Sequence, residues 1–520
     1  MPSFAPAYLA TWTGGQWTSK PALPLAGFTQ DTRQLRAGQV FVALRTDKRD
    51  GHDFLATAMA AGASAALVSR PDSSLALPQL VVADPLRAFQ VIAREHRRAF
   101  RGAVVGVTGS CGKTSTKNLL ARLLGGEPLV LATEGNLNNH LGVPLTLTRL
   151  EQGGHESAVI EAGISAPGEM DVLAGMIEPD YGIVTLVAPA HTEELGGLPG
   201  VAREKAVLLQ HVRPGGLSVF PKQCWDFHAF QDLPQQCIVL VPEGESSNAP
   251  RTVKLGVRVS PTSTEITLGG RRRFDFRRVS RGMAENAGLA IILASELGVT
   301  DDSIQRALDD WQPAKWRGEF RHDGQRLLYL DFYNANPASM IDALDSFASI
   351  VPADEPRLYV LGCMEELGIE SASYHRELGN RLRLRPQDRA FVIGGHAVDV
   401  VAGVADSGFS TENIEIVHTL APVAAQIAAF RGAIFMKGSR RYELEKALPS
   451  ESGDSHGSGH GSTSSGGSSA GGSSGSGGAG PSAGTRSAFS MVSTAMPLSW
   501  QFPRATAARV SVRPGAFPFI

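Results

Sequence analysis

Apolar and polar positions alternate along the first hundred residues in short blocks that predict a small α/β unit. Val40-Phe41-Val42-Ala43-Leu44 is an unbroken apolar run of strand length. An alanine-rich helix is expected over residues 56–66, and Ala65-Ala66-Leu67-Val68 reads as the next strand. Around Arg101 the pattern changes. Ala103-Val104-Val105-Gly106-Val107 predicts a buried strand, followed by a glycine-rich turn and a helix over 113–124. Further strands are expected at 157–161 and 181–186, and a helix over 284–297 closes this stretch. A third α/β stretch opens near Leu327, with strands at 327–331, 358–361, 390–393 and 433–436 and helices at 339–350 and 421–430. Strands alternating with helices argue for mostly parallel sheets covered on both faces. The expected units are 1–98, 99–312 and 313–449.

Beyond residue 449 the pattern stops. Residues 450–487 are almost all Gly and Ser, a composition that cannot bury enough apolar surface to offset its ordering entropy, so a flexible tether is expected. Residues 488–520 hold no acidic side chain and no periodicity. They read as an unfolded extension or, alternatively, a docking peptide. The whole chain of 520 residues, 42% hydrophobic, has length for about three domains plus this tail. A formal net charge of −2 excludes the strong field of a nucleic-acid or acidic-membrane binder. Cys111, Cys224, Cys237 and Cys363 have neither metal-site nor redox spacing, which suits a reducing compartment. No signal peptide and no apolar run of about 18 residues is apparent, so a cytoplasmic protein without a membrane span is expected, most simply a monomer.

The strongest chemical signal is Thr108-Gly109-Ser110-Cys111-Gly112-Lys113-Thr114-Ser115, set between a strand and a helix. Glycines let backbone N–H groups turn toward an anion, and the helix N-terminus adds partial positive charge. In such loops the lysine reaches the outer phosphates and the hydroxyl after it reaches Mg²⁺. The strict Walker pattern needs a glycine at position 107, where this chain has Val107. Glu161 ends the apolar run Ala158-Val159-Ile160, at a strand end of the kind that lines a ligand crevice.

These residues resemble the Mur ligases, whose phosphate loop reads Thr-Gly-x-x-Gly-Lys-Thr without the first Walker glycine. Further blocks agree in order across residues 28–448: Asp31-Thr32-Arg33, Asp50-Gly51-His52-Asp53-Phe54, Gly135-Asn136-Leu137-Asn138-Asn139, Pro189-Ala190-His191, Arg203-Glu204-Lys205 and Lys437-Gly438-Ser439-Arg440. Tyr333-Asn334-Ala335-Asn336-Pro337 and Met364-Glu365-Glu366-Leu367-Gly368 are similar to the family member that uses D-Ala-D-Ala. The resemblance implies a three-domain α/β architecture, with a central mostly parallel P-loop sheet and a Rossmann-like C-terminal domain that closes over the site. It implies an ATP-dependent ligase that adds D-alanyl-D-alanine to a UDP-N-acetylmuramoyl-tripeptide through an acyl phosphate. It assigns Thr108, Gly109, Ser110, Cys111, Gly112, Lys113, Thr114 and Ser115 to phosphate, and Thr114 with Glu161 to a first Mg²⁺. His191 and a carbamylated Lys205 go to a second Mg²⁺. Asn138 and Asn139 are placed at the muramoyl peptide, and Asn286, Asp331 and Tyr333 at the nucleotide. Thr32, Arg33, His52 and Phe54 are assigned to the uridine-nucleotide substrate, Asn334 and Asn336 to the dipeptide side. Without the family, His191 would read as a lone surface histidine and Lys205 as a solvated helix face.

The chain departs from the family in four places. Cys111 stands where relatives usually carry Asn, and at a helix N-terminus its pKa is expected to fall, making it reactive and shielded by ATP. Gly282 replaces a histidine common before the nucleotide asparagine. Ile164-Ser165 replaces an asparagine after Glu-x-Gly. Trp316-Arg317-Gly318-Glu319 leaves Arg317 and Arg321 both open as counterpart of the family's Gly-Arg. Two other readings compete: a sibling amide ligase of the Mur or folylpolyglutamate type, and a non-catalytic ATP-binding regulator. The Asn-rich blocks weigh against the first. Joint retention of Lys113, Glu161, His191 and Lys205 weighs against the second.

Overall fold

The computed structural model describes residues 2–324 and 326–449, so the expectations for the tail lie outside the described residues. Three sheets follow one another along the chain. The first has five strands in the order Gln16–Trp17, Gln79–Val81, Ala65–Val68, Val40–Val42, Phe28–Thr29, parallel except for the first pair. The helix expected at 56–66 is shorter: a 3₁₀ turn Gly51–Phe54 leads into Leu55–Ala60. Gly62, at φ +97°, turns the chain back so that Ala65 can enter the sheet.

The central sheet has nine strands. Its parallel part runs Val130–Ala132, Ser157–Glu161, Ala103–Thr108, Tyr181–Val184, Leu217–Pro221, Gln236–Pro242, Thr252–Val259. Ser263–Leu268 and Arg272–Arg277 then extend it antiparallel. The sequence predicts only Ala103–Thr108, Ser157–Glu161 and Tyr181–Val184; it does not predict the parallel strands Val130–Ala132, Leu217–Pro221, Gln236–Pro242 and Thr252–Val259, nor the antiparallel pair, although Thr264, Ile266 and Leu268 on one and Phe274 and Phe276 on the other alternate with more exposed positions. Ala103–Thr108 is buried from Val104 onward, as a strand covered on both faces must be. One apolar cluster on each side of the sheet provides that cover.

The helix expected at 284–297 begins earlier, at Arg281, because Ser280 caps it through the Met283 amide. Asn286 therefore sits in its second turn rather than opening it. A further helix, Asp301–Asp309, follows.

The third sheet runs Glu319–Asp323, Arg326–Asp331, Ala433–Lys437, Arg357–Gly362, Arg389–Ile393, Ile414–Val417, parallel after the first pair. Its helix Pro337–Ala348 starts two residues before the expected 339, because Asn336 and Ser339 form a reciprocal capping box with proline in the first turn. Among the described residues no helix is long and apolar enough to cross a membrane.

Arg97, on the helix Pro85–Ala99, ties the N-terminal sheet's layer to the central one. Its fully buried guanidinium donates to the carbonyls of Ile177 and Glu178 and to Asp180 Oδ2 at 2.8–2.9 Å. Asp180 Oδ2 also accepts from the Val104 amide at the start of the strand that leads to the phosphate loop. Arg97→Met leaves the Ile177 and Glu178 carbonyls without this donor and Asp180 without its buried partner. It is expected to lower unfolding free energy by about 3 kcal/mol in urea denaturation.

Candidate functional site

The strand Ala103–Thr108 delivers the chain to a loop that only glycine can form. Gly109 has φ +150°, and a Cβ there would lie 1.8 Å from Thr185 Oγ1. Gly112 has φ +79°, and its Cβ would lie 2.2 Å from Asn286 Nδ2. Neighbouring hydroxyls fix the loop. Thr108 Oγ1 donates to Ala162 O at 2.8 Å. Ser110 Oγ donates to Ala188 O at 2.7 Å and accepts from Ala188 N at 2.9 Å, tying the loop to the segment that ends in His191. Thr185 Oγ1 donates to Cys111 O.

The helix Lys113–Leu123 starts at the loop. Lys113 Nζ donates to Gly109 O at 2.8 Å, and burial pushes its pKa down against the pull of Glu161. Glu161, buried at its strand end, accepts from Thr114 Oγ1 on one carboxylate oxygen and from Asn138 Nδ2 on the other, both at 2.8 Å. Its amide donates to Thr133 Oγ1, and the Thr133 carbonyl accepts from buried Lys117. Lys117, one helical turn beyond Lys113, carried no sequence signal beyond that spacing.

A cavity of about 400 Å³ opens above these groups, lined from both the central and the C-terminal layers. Ser110, Cys111, Gly112, Lys113, Thr114, Ser115, Asn138, Glu161 and Asn286 form the central wall. Asp331, Tyr333, Asn334 and Asn336 form the facing one. Lys437, left out of the sequence-based catalytic set, also lines it, and its Nζ lies 2.6 Å from Asp331 Oδ2. The parallel register that pairs Asp331 with Lys437 sets that contact. Arg317 lines the cavity with its guanidinium 3.8 Å from the Tyr333 ring centroid, whereas Arg321 is not among the lining residues. Asn336 has most of its amide engaged: Oδ1 caps Ser339 N, and Nδ2 donates to Ser110 O at 3.2 Å.

His191 and Lys205 do not line the cavity, but both are near enough to Lys113 to feel its charge. His191, at φ +54°, places Nδ1 2.6 Å from Glu366 Oε2, a contact from the C-terminal layer. Lys205 is buried, and desolvation followed by repulsion from Lys113 brings its pKa down to about 7. His191 is likewise held down, first by burial, with Lys205 and Lys113 adding to the effect.

The remaining candidates lie apart. Arg33 is exposed and pairs with Asp31 at 2.7 Å, next to half-buried Thr32. His52 has both ring nitrogens occupied, Nδ1 by Asp50 at 2.6 Å and Nε2 by the Ser69 amide at 3.0 Å. Phe54 is exposed. Asn139 Oδ1 accepts from the amides of Leu141 and Gly142, a turn-forming role. None of these five lines the cavity. One expectation is overturned outright. The Cys111 thiol is pushed up to about 11, because burial, with Asp342 nearby, outweighs the positive charge of Lys113.

Residues 107–294 match the Mur ligase middle domain, and residues 316–440 match the family described as Mur ligase, glutamate ligase domain. The UDP-N-acetylmuramoyl-tripeptide–D-alanyl-D-alanine ligase of Escherichia coli K12 is 33% identical over 432 residues, covering 82% of this chain and 93% of that protein. A crystal structure of MurF from Acinetobacter baumannii superposes with a TM-score of 0.76 at 28% identity, covering 86% of this chain and 98% of that one. The MurF ligase of Thermotoga maritima in complex with ADP gives 0.69 at 26% identity, covering 81% and 96%.

Two outcomes follow from the loop. Gly112→Ala forces a Cβ against Asn286 at a left-handed φ, and is expected to weaken nucleoside triphosphate binding by about 100-fold in titration calorimetry. Cys111 titrates upward, so its thiolate appears only as pH approaches about 11. Iodoacetamide labelling of Cys111, followed by mass spectrometry, should be slow at pH 8 and rise about tenfold per pH unit above it.

Proposed function

We propose a specific reaction for this chain, which belongs to the Mur ligase family. It joins D-alanyl-D-alanine to the terminal carboxylate of a UDP-N-acetylmuramoyl-tripeptide at the expense of ATP, a step in building peptidoglycan precursor. The observation that carries the reading is the meeting of two sets of groups around one cavity. The phosphate loop and the Thr114–Glu161–Asn138 cluster come from the central layer, and Arg317, Asp331, Tyr333 and Lys437 come from the C-terminal one.

In the first step a carboxylate oxygen of the tripeptide attacks the γ-phosphorus, the bond to the bridging oxygen breaks, and ADP leaves. The loop amides and Lys113 hold the phosphates in line, since phosphoryl transfer depends on positioning and charge stabilisation. In the second step the dipeptide amine attacks the acyl carbon. The tetrahedral species expels phosphate, an amide forms, and the amine proton is lost to solvent. Arg317 and Lys437 stand where the negative charge of both steps can be met.

Thr114 Oγ1 and Glu161 offer hard oxygen donors 2.8 Å apart, a set that suits Mg²⁺. Among the described residues no three His, Cys, Asp or Glu side chains gather as a metal cage, which suits an ion that takes its other ligands from phosphates and water. His191 and Lys205 would hold a second ion. A lysine brought to about 7 is substantially neutral at pH 7, the form that adds CO₂ to become a carbamate. The metals would supply neutralisation of phosphate charge during transfer.

Purified protein with Mg-ATP, UDP-N-acetylmuramoyl-tripeptide and D-Ala-D-Ala should release phosphate only when all three are present, giving a product heavier by the dipeptide. Lys113→Met should lower that rate by at least about 1,000-fold. Phosphate release with a single amino acid in place of the dipeptide would rule the reading out.

A further inference from the structure

The cavity wall contains a carboxylate that the reaction above does not use. Asp342 lies on the helix Pro337–Ala348 of the C-terminal layer and lines the cavity beside Gly282 and Met283 of the central one. Three other carboxylates in this wall have partners. Glu161 is held by Thr114 and Asn138, Asp331 by Lys437, and Glu285 lies 3.5 Å from Arg281. Asp342 has no ion-pair partner among the described residues. Its Oδ1 accepts from the Gly282 amide at 2.9 Å. A carboxylate has about four acceptor positions, so this donor leaves room for a ligand's.

Gly282 is what lets this carboxylate in. A Cβ at 282 would stand 2.8 Å from Asp342 Oδ2. Any side chain there would displace the acid. Gly282 also lies four residues before Asn286, hence about 6 Å away along the same helix face. Asn286 abuts Gly112 at the end of the phosphate loop. A nucleotide whose phosphates sit on that loop must extend its nucleoside into the rest of the cavity. There the wall includes Val279, Met283 and Trp311, apolar groups suited to a flat base.

We propose that Asp342 is a specificity-determining residue for the nucleotide: its free carboxylate oxygen accepts a hydrogen bond from the exocyclic amine of adenine. The inference rests on the ligase reading. A carboxylate rewards a 6-amino group and offers nothing to a base without one. A charge-assisted hydrogen bond of this kind is worth on the order of 10- to 100-fold in affinity.

The test compares ATP, purine riboside triphosphate (which lacks only the amine) and 2′-deoxy-ATP. Binding is measured by calorimetry on the full chain, and kcat/KM by phosphate release. The native protein should prefer ATP over the purine analogue by about 10- to 100-fold and show a smaller difference for 2′-deoxy-ATP. Asp342→Asn keeps a carbonyl oxygen for the Gly282 amide, so its melting temperature should stay close to native. It should bind ATP and the purine analogue within about twofold of each other. Asp342→Ala should lose the same preference. Tight binding without discrimination in the native protein would overturn the assignment alone, as would discrimination that survives in Asp342→Asn or is lost only toward 2′-deoxy-ATP. Failure of the native protein to bind any of the three would overturn the ligase reading itself.

Discussion

Everything around the cavity depends on one buried carboxylate held at both oxygens. Glu161 ends a strand of the central sheet, where a charged side chain would be costly without partners. Thr114 and Asn138 supply those partners at 2.8 Å each, and they come from different segments. Thr114 brings the start of the phosphate-loop helix, and Asn138 brings the asparagine-rich loop. The same carboxylate therefore sets the distance between the phosphate loop and the loop expected to meet the peptide. Lys117 and Thr133 brace it from below, so that its backbone and both carboxylate oxygens are fixed. A group tied in this way changes geometry little when a cation arrives, and such preorganisation is what a phosphoryl-transfer site needs.

The C-terminal layer completes the site by touching the loop directly. Asn336 is at once the cap of its own helix and a donor to Ser110 O. Asp342, one and a half turns on, accepts from Gly282, and Ser349 at the helix's far end accepts from Arg278. One helix thus lies along the central layer through three polar contacts. Thr192 and His191 make a second seam with Leu367 and Glu366. Glu366 and His191 both have positive φ, an arrangement that costs free energy and persists where surrounding contacts over-determine it.

Part of each parallel sheet was legible where a strand is an unbroken apolar run, as at Ala103–Thr108 and Ser157–Glu161, and the phosphate loop because glycine, lysine and threonine stand in a strand–turn–helix setting. Local chemistry decided the boundaries that the reading missed. The capping box at Asn336 starts a helix two residues early, and Gly62 stops another well short of its alanine-rich end. The two antiparallel strands at 263–277 carry alternating burial but are rich in arginine and threonine, which hid them. In the cavity wall, Asn286, Asp331, Tyr333, Asn334 and Asn336 stand where the family blocks pointed although they are far from the loop in sequence, whereas the sequence leaves Arg317 open beside Arg321, does not place Lys437 in the catalytic set, and carries no signal for Asp342. Their roles come from tertiary approach: a register between two parallel strands, a stack on Tyr333, and a space left by Gly282. The error at Cys111 has the same origin. A helix N-terminus lowers a thiol's pKa where solvent remains, whereas here desolvation, with the carboxylate of Asp342 nearby, outweighs it.

The charge pattern follows from the same enclosure. Burial disfavours the charged forms of Lys113, Lys205 and His191; Lys113 adds repulsion on Lys205, and both lysines add it on His191. Arg317 adds further repulsion on Lys113. Such a collection stabilises no fold by itself. It relaxes when anions enter, because each phosphate or carboxylate restores the charge balance that burial has disturbed. The carbamate proposed for Lys205 would be an alternative route, since it would replace a disfavoured cation with an anion beside Lys113 and His191. The site is therefore built around negative charge that the polypeptide does not carry, and its cations are held ready by the packing that makes them unfavourable alone.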